Sequence, residues 1–213
     1  MRQNLKYMKK SILAIAGALV MFSCSSSDDD NGKKVVDGNA GVVEVQTSAK
    51  SYDKWTYYSI EQGKEVAIEN PKESLAWDIA FHRGDVKLNG GASGKGKGEA
   101  IKLTTTDFAT VTEAPAEGYV KDVKANILSY NIKTHQMTPL PDGSKNNQLV
   151  WLNIDTSTPP PKYTLYKNVF VIKTANGKYA KIQFLNYIGD NKEKIVATWK
   201  YFYQANGSRK LVK

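Results

Sequence analysis

Residues 169–184 read VFVIKTANGKYAKIQF, and this stretch decides the fold. Val169–Lys173 is a run of β-branched and aromatic residues, Tyr179–Phe184 alternates apolar with polar side chains, and Asn176-Gly177 lies between them. Asn-Gly adopts the positive φ angles that a tight turn between antiparallel strands requires, so the stretch predicts a hairpin. The same period of two recurs outward, at Val43, Val45 and Thr47 and again from Val196 through the aromatic run Trp199–Tyr203. No window carries a sustained 3.6-residue apolar stripe with caps, and helix is expected at most as a turn or two near Thr106–Thr112. The fold class that follows is all-β and mainly antiparallel. Pro159-Pro160-Pro161 lacks N–H donors and reads as a stiff loop after the strand Trp151–Ile154.

The N-terminus has a different grammar. Arg2, Lys6, Lys9 and Lys10 precede an apolar run from Ile12 to Phe22, which is the pattern of a secretory signal. The run is shorter than the roughly 20 apolar residues of a spanning helix. It ends at Ser23-Cys24, and Cys24 is the only cysteine of the chain. A small residue followed by cysteine at that place marks Cys24 as a lipidation site, and residues 1–23 as a lipoprotein signal peptide. Ser25–Asp30 reads SSSDDD, which resembles the acidic tag of Bacteroidota lipoproteins sent to the cell surface. Residues 24–42 are accordingly expected to be a flexible tether on the outer membrane, and residues 43–213 a single β domain. About 170 residues suffice for one core that buries around 70% of the unfolded surface.

Cleaving residues 1–23 removes four basic residues and no acidic ones, so the net charge of +9 falls to +5. That excess is scattered, with no clustered basic patch and no recognisable module, and nucleic acid is not an expected partner. Catalysis is equally poorly supplied: the chain has two histidines, His82 and His135, and no His-x-x-x-His or Cys-x-x-Cys spacing.

One motif invites a nucleotide reading. Gly91, four residues, then Gly96-Lys97 matches the first seven positions of a phosphate-binding loop. The eighth position is Gly98 where Ser or Thr would hold Mg²⁺, and the following Glu99–Thr104 reads as a strand where a helix should begin. A glycine turn is the expectation.

His82 lies in Leu75–Arg83, where alternation places Trp77, Ile79 and Phe81 on one face and His82 with Asp78 and Ala80 on the other. A strand histidine beside a carboxylate is expected to be structural. His135 sits in the polar stretch Lys133–Pro139; if that stretch is extended, His135 and Met137 point the same way. Imidazole and thioether are both ligands of haem iron.

Read together, Trp77–Arg83 (WDIAFHR), Leu88–Gly98 (LNGGASGKGKG), Gly118–Val123 (GYVKDV), His135–Met137 (HQM), Trp151-Leu152, Asn168–Phe170 and Ala180–Phe184 with Tyr187 resemble the HmuY family of haem-binding lipoproteins. The likeness runs from about Tyr52 to Tyr203. It implies an all-β domain whose glycine stretch is a structural turn and whose haem is gripped between two protruding loops by ligands on opposite faces of the iron. His135 matches one axial histidine of the founding member. Thr156 stands where its second histidine would be, and Met137 is the only methionine left after cleavage, which excludes a methionine pair. Water, Met137 or a tyrosine such as Tyr163 is then expected opposite His135. The resemblance further implies haem as ligand, delivery to a TonB-dependent outer-membrane receptor, and a possible haem-linked oligomer. Two rivals stay open: a module of the same fold that has lost haem and binds a glycan or host protein through Trp55, Tyr57, Tyr58 or Trp151, and an adhesive protein with no small ligand.

Overall fold

The computed structural model describes residues 34–37, 41–141 and 143–213; the signal peptide, Cys24 and most of the expected tether lie outside them. Among the described residues seventeen strands follow in chain order. The first six are β1 (Lys34–Asp37), β2 (Val42–Ser48), β3 (Thr56–Ser59), β4 (Lys64–Val66), β5 (Ile79–His82) and β6 (Asp85–Leu88). After them come β7 (Glu99–Lys102), β8 (Val120–Lys121), β9 (Val123–Lys124), β10 (Leu128–Asn131), β11 (Gln136–Pro139) and β12 (Ser144–Lys145). The chain closes with β13 (Leu152–Asp155), β14 (Lys162–Leu165), β15 (Val169–Lys173), β16 (Tyr179–Ile188) and β17 (Lys194–Gln204). Among the described residues there is no helix, and Thr106–Thr112 forms only bends and a turn.

The predicted hairpin is the centre of the larger sheet. β15 pairs with β16 from Val169↔Gln183 to Lys173↔Tyr179, and Gly177 takes φ 80° in the turn between them. Around that hairpin the seven-stranded sheet runs β1-β2-β17-β16-β15-β7-β8, and a four-stranded sheet, β4-β3-β5-β6, packs against it. β1 pairs with β2, so a strand falls inside the stretch expected to be tether.

Alternation on β15 and β16 explains the packing. Phe170, Ile172, Ala180, Ile182 and Phe184 join Trp199 and Tyr201 of β17 and Ile79, Phe81 and Leu88 of the smaller sheet in the main core. The opposite set, Val169 and Val171 with Phe202, packs on Phe108, Val111, Ala114 and Leu211 in a second core. All four positions of β5, in the smaller sheet, are buried: Ile79 and Phe81 face the main core, and His82 lies against Trp55. Trp77 departs from the expected face. It precedes β5, donates its indole N–H to the Pro71 carbonyl at 2.8 Å, and packs edge-on against Tyr57 on the outer side of the small sheet.

The glycine stretch is a structural turn wrapped around Asn89, as the sequence leads one to expect. Gly96 N–H donates to Asn89 Oδ1 (3.2 Å), Gly98 N–H to the Asn89 carbonyl (2.7 Å), and Lys97 N–H to the Ala175 carbonyl (2.9 Å). Amides that would cradle phosphate in a nucleotide loop are thus spent inside the protein.

Asp122 pins the same loop. Its carboxylate accepts from Leu88 N–H (2.8 Å), Ser93 Oγ (2.6 Å) and Asn146 Nδ2 (2.9 Å). Burial pushes its pKa up to about 6, against the opposing pull of those hydrogen bonds and of Lys87. A folded pKa above the ordinary 3.8 means that the stabilising contribution is full below about pH 4 and lost as pH rises through 6. Two units correspond to about 3 kcal/mol. His82, whose burial lowers its pKa, works in the opposite direction, since its contribution is lost as pH falls. Urea unfolding at pH 4.5 and pH 7.5 should therefore show Asp122→Asn losing part of the acid-side gain of the wild type, the remainder belonging to Asp78, whose pKa burial also raises; an unchanged pH slope in the variant refutes the assignment.

Candidate functional site

Two hairpins stand apart from the main sheets. In the first, β10 and β11 pair from Leu128↔Pro139 to Asn131↔Gln136. Asn131 Oδ1 accepts from Lys133 N–H (2.9 Å) and Thr134 N–H (3.2 Å), shaping the turn, and His135 closes it with φ 56°. His135 therefore sits in the turn and not on an extended strand, so the two-residue alternation expected for His135 and Met137 does not apply. Tyr130 brings them together instead. Its hydroxyl lies 2.7 Å from His135 Nδ1, and Met137 is its direct cross-strand partner. Ile132 and Met137 expose 66% and 65% of their surface, a large apolar area for a hairpin that packs on no core.

The second hairpin pairs β13 with β14, from Leu152↔Leu165 to Asp155↔Lys162, around a loop that contains Pro159–Pro161. Asp155 caps that loop by accepting from Ser157 N–H at 2.9 Å, and hydrogen bonding from the Ser157 side chain, then its backbone, holds the carboxyl below the usual range. Thr156 is exposed beside it. Tyr163 pairs with Ile154, and both pack on the main core; the Tyr163 ring stacks on Tyr187 at 5.4 Å and 13°, with the Lys194 ammonium 5.2 Å from its centre. His135 thus lies on one hairpin, and Thr156 and Tyr163 on the other. No hydrogen bond or ring contact joins the two sets among the described residues.

Between the hairpins lies a base that the sequence did not advertise. Tyr52 meets Tyr130 edge-on at 5.5 Å, and the Arg83 guanidinium sits 4.1 Å above the Tyr52 ring. Arg83 takes φ 54° at the end of β5. The following Gly84 lies so close to the second hairpin that an added Cβ would be 2.7 Å from the Leu152 carbonyl. One turn therefore touches both hairpins, through Tyr52 on one side and through Leu152 and Ile154 on the other. Beside it opens a cavity of about 420 Å³ lined by Arg83, Lys145, Val150, Asn153 and Ile154, within the size range of small-molecule sites.

His82 supports this base from beneath and is 2% exposed. Its Nε2–H donates to the Tyr52 carbonyl at 3.2 Å, which fixes the tautomer and leaves Nδ1 a buried acceptor without a partner. The ring rests on Trp55. His82 is thus a core histidine, although Asp78 is not its companion; that carboxylate accepts from Ile60 N–H and Ala175 N–H. The aromatics considered for sugar stacking are also engaged. Tyr58 and Trp151 are buried, while Trp55 and Tyr57 flank the Lys87 ammonium at 4.3 and 5.1 Å.

Tyr130 and Tyr52 were the residues missed. For Tyr130 the sequence offers only two short β-compatible runs about a polar turn, Leu128-Ser-Tyr-Asn and Gln136-Met-Thr-Pro, without an apolar period. Tyr52 reaches the site only through the tertiary fold.

Comparison with known proteins gives the fold its relatives. The family model HmuY protein matches residues 51–201. A protein of Bacteroides vulgatus, named as an HmuY-like heme binding protein, superposes with TM-score 0.64 at 28% identity over 80% of this chain and 96% of its own. The apo HmuY analog of Tannerella forsythia gives TM-score 0.60 at 28% identity, covering 79% and 99%. A Bacteroides fragilis lipoprotein at 24% identity, TM-score 0.63, covering 81% and 94%, shares the fold. Among curated proteins none matches.

Proposed function

Since this chain belongs to the HmuY family, we propose that it binds haem between the β10–β11 and β13–β14 hairpins, with His135 as the axial ligand to iron. The single observation that carries the reading is the setting of His135. Its Nδ1 is tied to the Tyr130 hydroxyl, and Nε2 has no protein partner among the described residues. A ligating imidazole ordinarily hands its other N–H to an oriented acceptor, which fixes the ring and raises its basicity. Tyr130 supplies that acceptor, and Ile132 and Met137 supply exposed apolar surface against which a porphyrin can lie. The arrangement calls for binding, not catalysis.

Titrating haemin into the purified protein tests this directly: a saturable, 1:1 change in the Soret band supports it, and its absence refutes it. With Thr156 on the second hairpin, the ferric complex should be high-spin or mixed-spin, with water or a weak oxygen ligand opposite His135. Tyr163 is poorly disposed for that role, because its ring is committed to Tyr187 and the core. Thr156→His should convert the spectrum to a low-spin bis-imidazole form and slow haem loss to a scavenger protein. A wild-type spectrum already of that form would refute the role given to Thr156.

The remaining parts of the reading concern delivery. The protein is held at the outer-membrane surface by lipid on Cys24 and passes haem to a TonB-dependent receptor, and bound haem can link copies into an oligomer. Cys24→Ala should release it from membranes, and retention of the variant in the membrane fraction at the wild-type level would sink the anchor. Burial of Tyr58 and Trp151 and the engagement of Trp55 and Tyr57 weigh against a sugar-stacking function.

A further inference from the structure

The outer face of the seven-stranded sheet carries a cavity of about 650 Å³ that takes no part in the site between the hairpins. Cross-strand register explains its lining. Lys181↔Phe202, Gln183↔Lys200 and Phe202↔Val42 place these side chains on one face, away from the main core. Phe108 and Leu211 close over them from the segments that cover this face. The lining joins an apolar wall of Val42, Phe108, Phe202 and Leu211 to polar groups that include Lys181, Gln183 and Lys200, a combination that suits an amphiphilic ligand.

Cationic side chains outnumber anionic ones in the lining, Lys181, Lys200 and Lys213 against Asp107. Two ammonium groups flank a single ring: Lys181 Nζ is 4.4 Å from the Phe108 centre and Lys200 Nζ 4.6 Å from it. Lys181 is 3% exposed and donates to the Phe108 and Val111 carbonyls at 3.0 and 2.8 Å. Neither lysine forms an ion pair among the described residues. Glu44 lies opposite Lys200 in register without closing such a pair, and Asp107 directs its Oδ1 to Ala109 N–H. Burial lowers the Lys181 pKa and Lys200 adds to it, with Asp107 pulling the other way. Two like charges beside a half-enclosed apolar space are stabilised by an anion that brings its own apolar body, since in low dielectric such a pair costs more than in water.

We infer that this cavity binds a single-chain amphiphilic carboxylate, with the carboxylate at the Lys200 ammonium and the alkyl chain along Phe108, Phe202, Leu211 and Val42. The inference does not depend on haem binding elsewhere.

Dodecanoate is the probe, measured by calorimetric titration of the purified protein. Saturable 1:1 binding is expected, weakened at least tenfold in Lys200→Glu and largely kept in Lys200→Arg. Dodecyltrimethylammonium, with the same tail and opposite charge, should not compete. Should Lys200→Glu fail to fold, Ala109→Trp, on the exposed rim of the cavity, provides the second variant and should block the probe sterically. His135→Ala should leave dodecanoate binding unchanged. The inference is overturned by absence of saturable binding, by equal affinity in Lys200→Glu, or by equal competition from the cationic amphiphile. Displacement of dodecanoate by one equivalent of haemin in His135→Ala would overturn it as well, because the cavity would then be a tetrapyrrole site.

Discussion

Gly98→Ala is expected to destabilise the folded protein by roughly 3–5 kcal/mol and to lower its thermal midpoint by about 10 °C. A Cβ on Gly98 would lie 2.7 Å from the carbonyl carbon and oxygen of Asn89 and 2.9 Å from its nitrogen. All three are backbone atoms and cannot rotate away. Nor can Asn89 retreat, because it is fully buried and every one of its polar groups is committed. Its Nδ2 donates to the Ser74 and Trp77 carbonyls, its N–H to the Asp78 carbonyl, and its two oxygens accept from Gly96 and Gly98. Moving it would strand several buried partners, each worth about 1–3 kcal/mol when left unmade. Lys97→Ala, one position earlier on an exposed side chain, should stay within about 0.5 kcal/mol, and neither form should bind ATP. Urea unfolding followed by tryptophan fluorescence separates the two; coincident midpoints for Gly98→Ala and wild type would show that the loop has slack that the packing does not suggest.

This contrast marks where the sequence was legible. Val169–Phe184 carried its hairpin because strand alternation and an Asn-Gly turn are local signals, and the register found is the one that puts Phe170, Ile182 and Phe184 inside. The failure of the phosphate reading was legible too, from Gly98 and from the strand that follows it. What escaped was set by long-range contacts. Alternation placed Trp77 with Ile79 and Phe81, but the strand starts only at Ile79, so the indole turned outward to Tyr57. His82 could be read as structural from its place in a strand beside a carboxylate, whereas its actual partner, the Tyr52 carbonyl 30 residues away and not Asp78, could not. The stretch Leu128–Pro139 was harder. Its strand residues are half-buried or exposed, so no apolar period announces them, and without the hairpin the bond between Tyr130 and His135 has no basis.

The largest functional effect should come from His135→Ala, which is expected to weaken haemin binding by roughly 100-fold, about 2.7 kcal/mol, while leaving stability within about 0.5 kcal/mol. The side chain is exposed and lies on a hairpin outside both cores, so its removal creates no cavity. Its one intramolecular bond, to the Tyr130 hydroxyl, is between exposed groups that water can satisfy. The two other histidine-linked variants should divide the roles. Tyr130→Phe keeps the ring that meets Tyr52 and removes only the acceptor behind His135, so a loss of about tenfold in haemin affinity is expected with little change in stability. His82→Ala removes a buried ring that packs on Trp55 and holds the Tyr52 carbonyl; its cost should fall on folding, about 2–4 kcal/mol, with the haemin affinity of the folded fraction reduced far less than in His135→Ala. Thermal unfolding and haemin titration on the same three preparations give six readings that a haem site elsewhere on the protein could not reproduce. If His135→Ala and His82→Ala bind haemin with equal affinity, the first hairpin does not hold the iron.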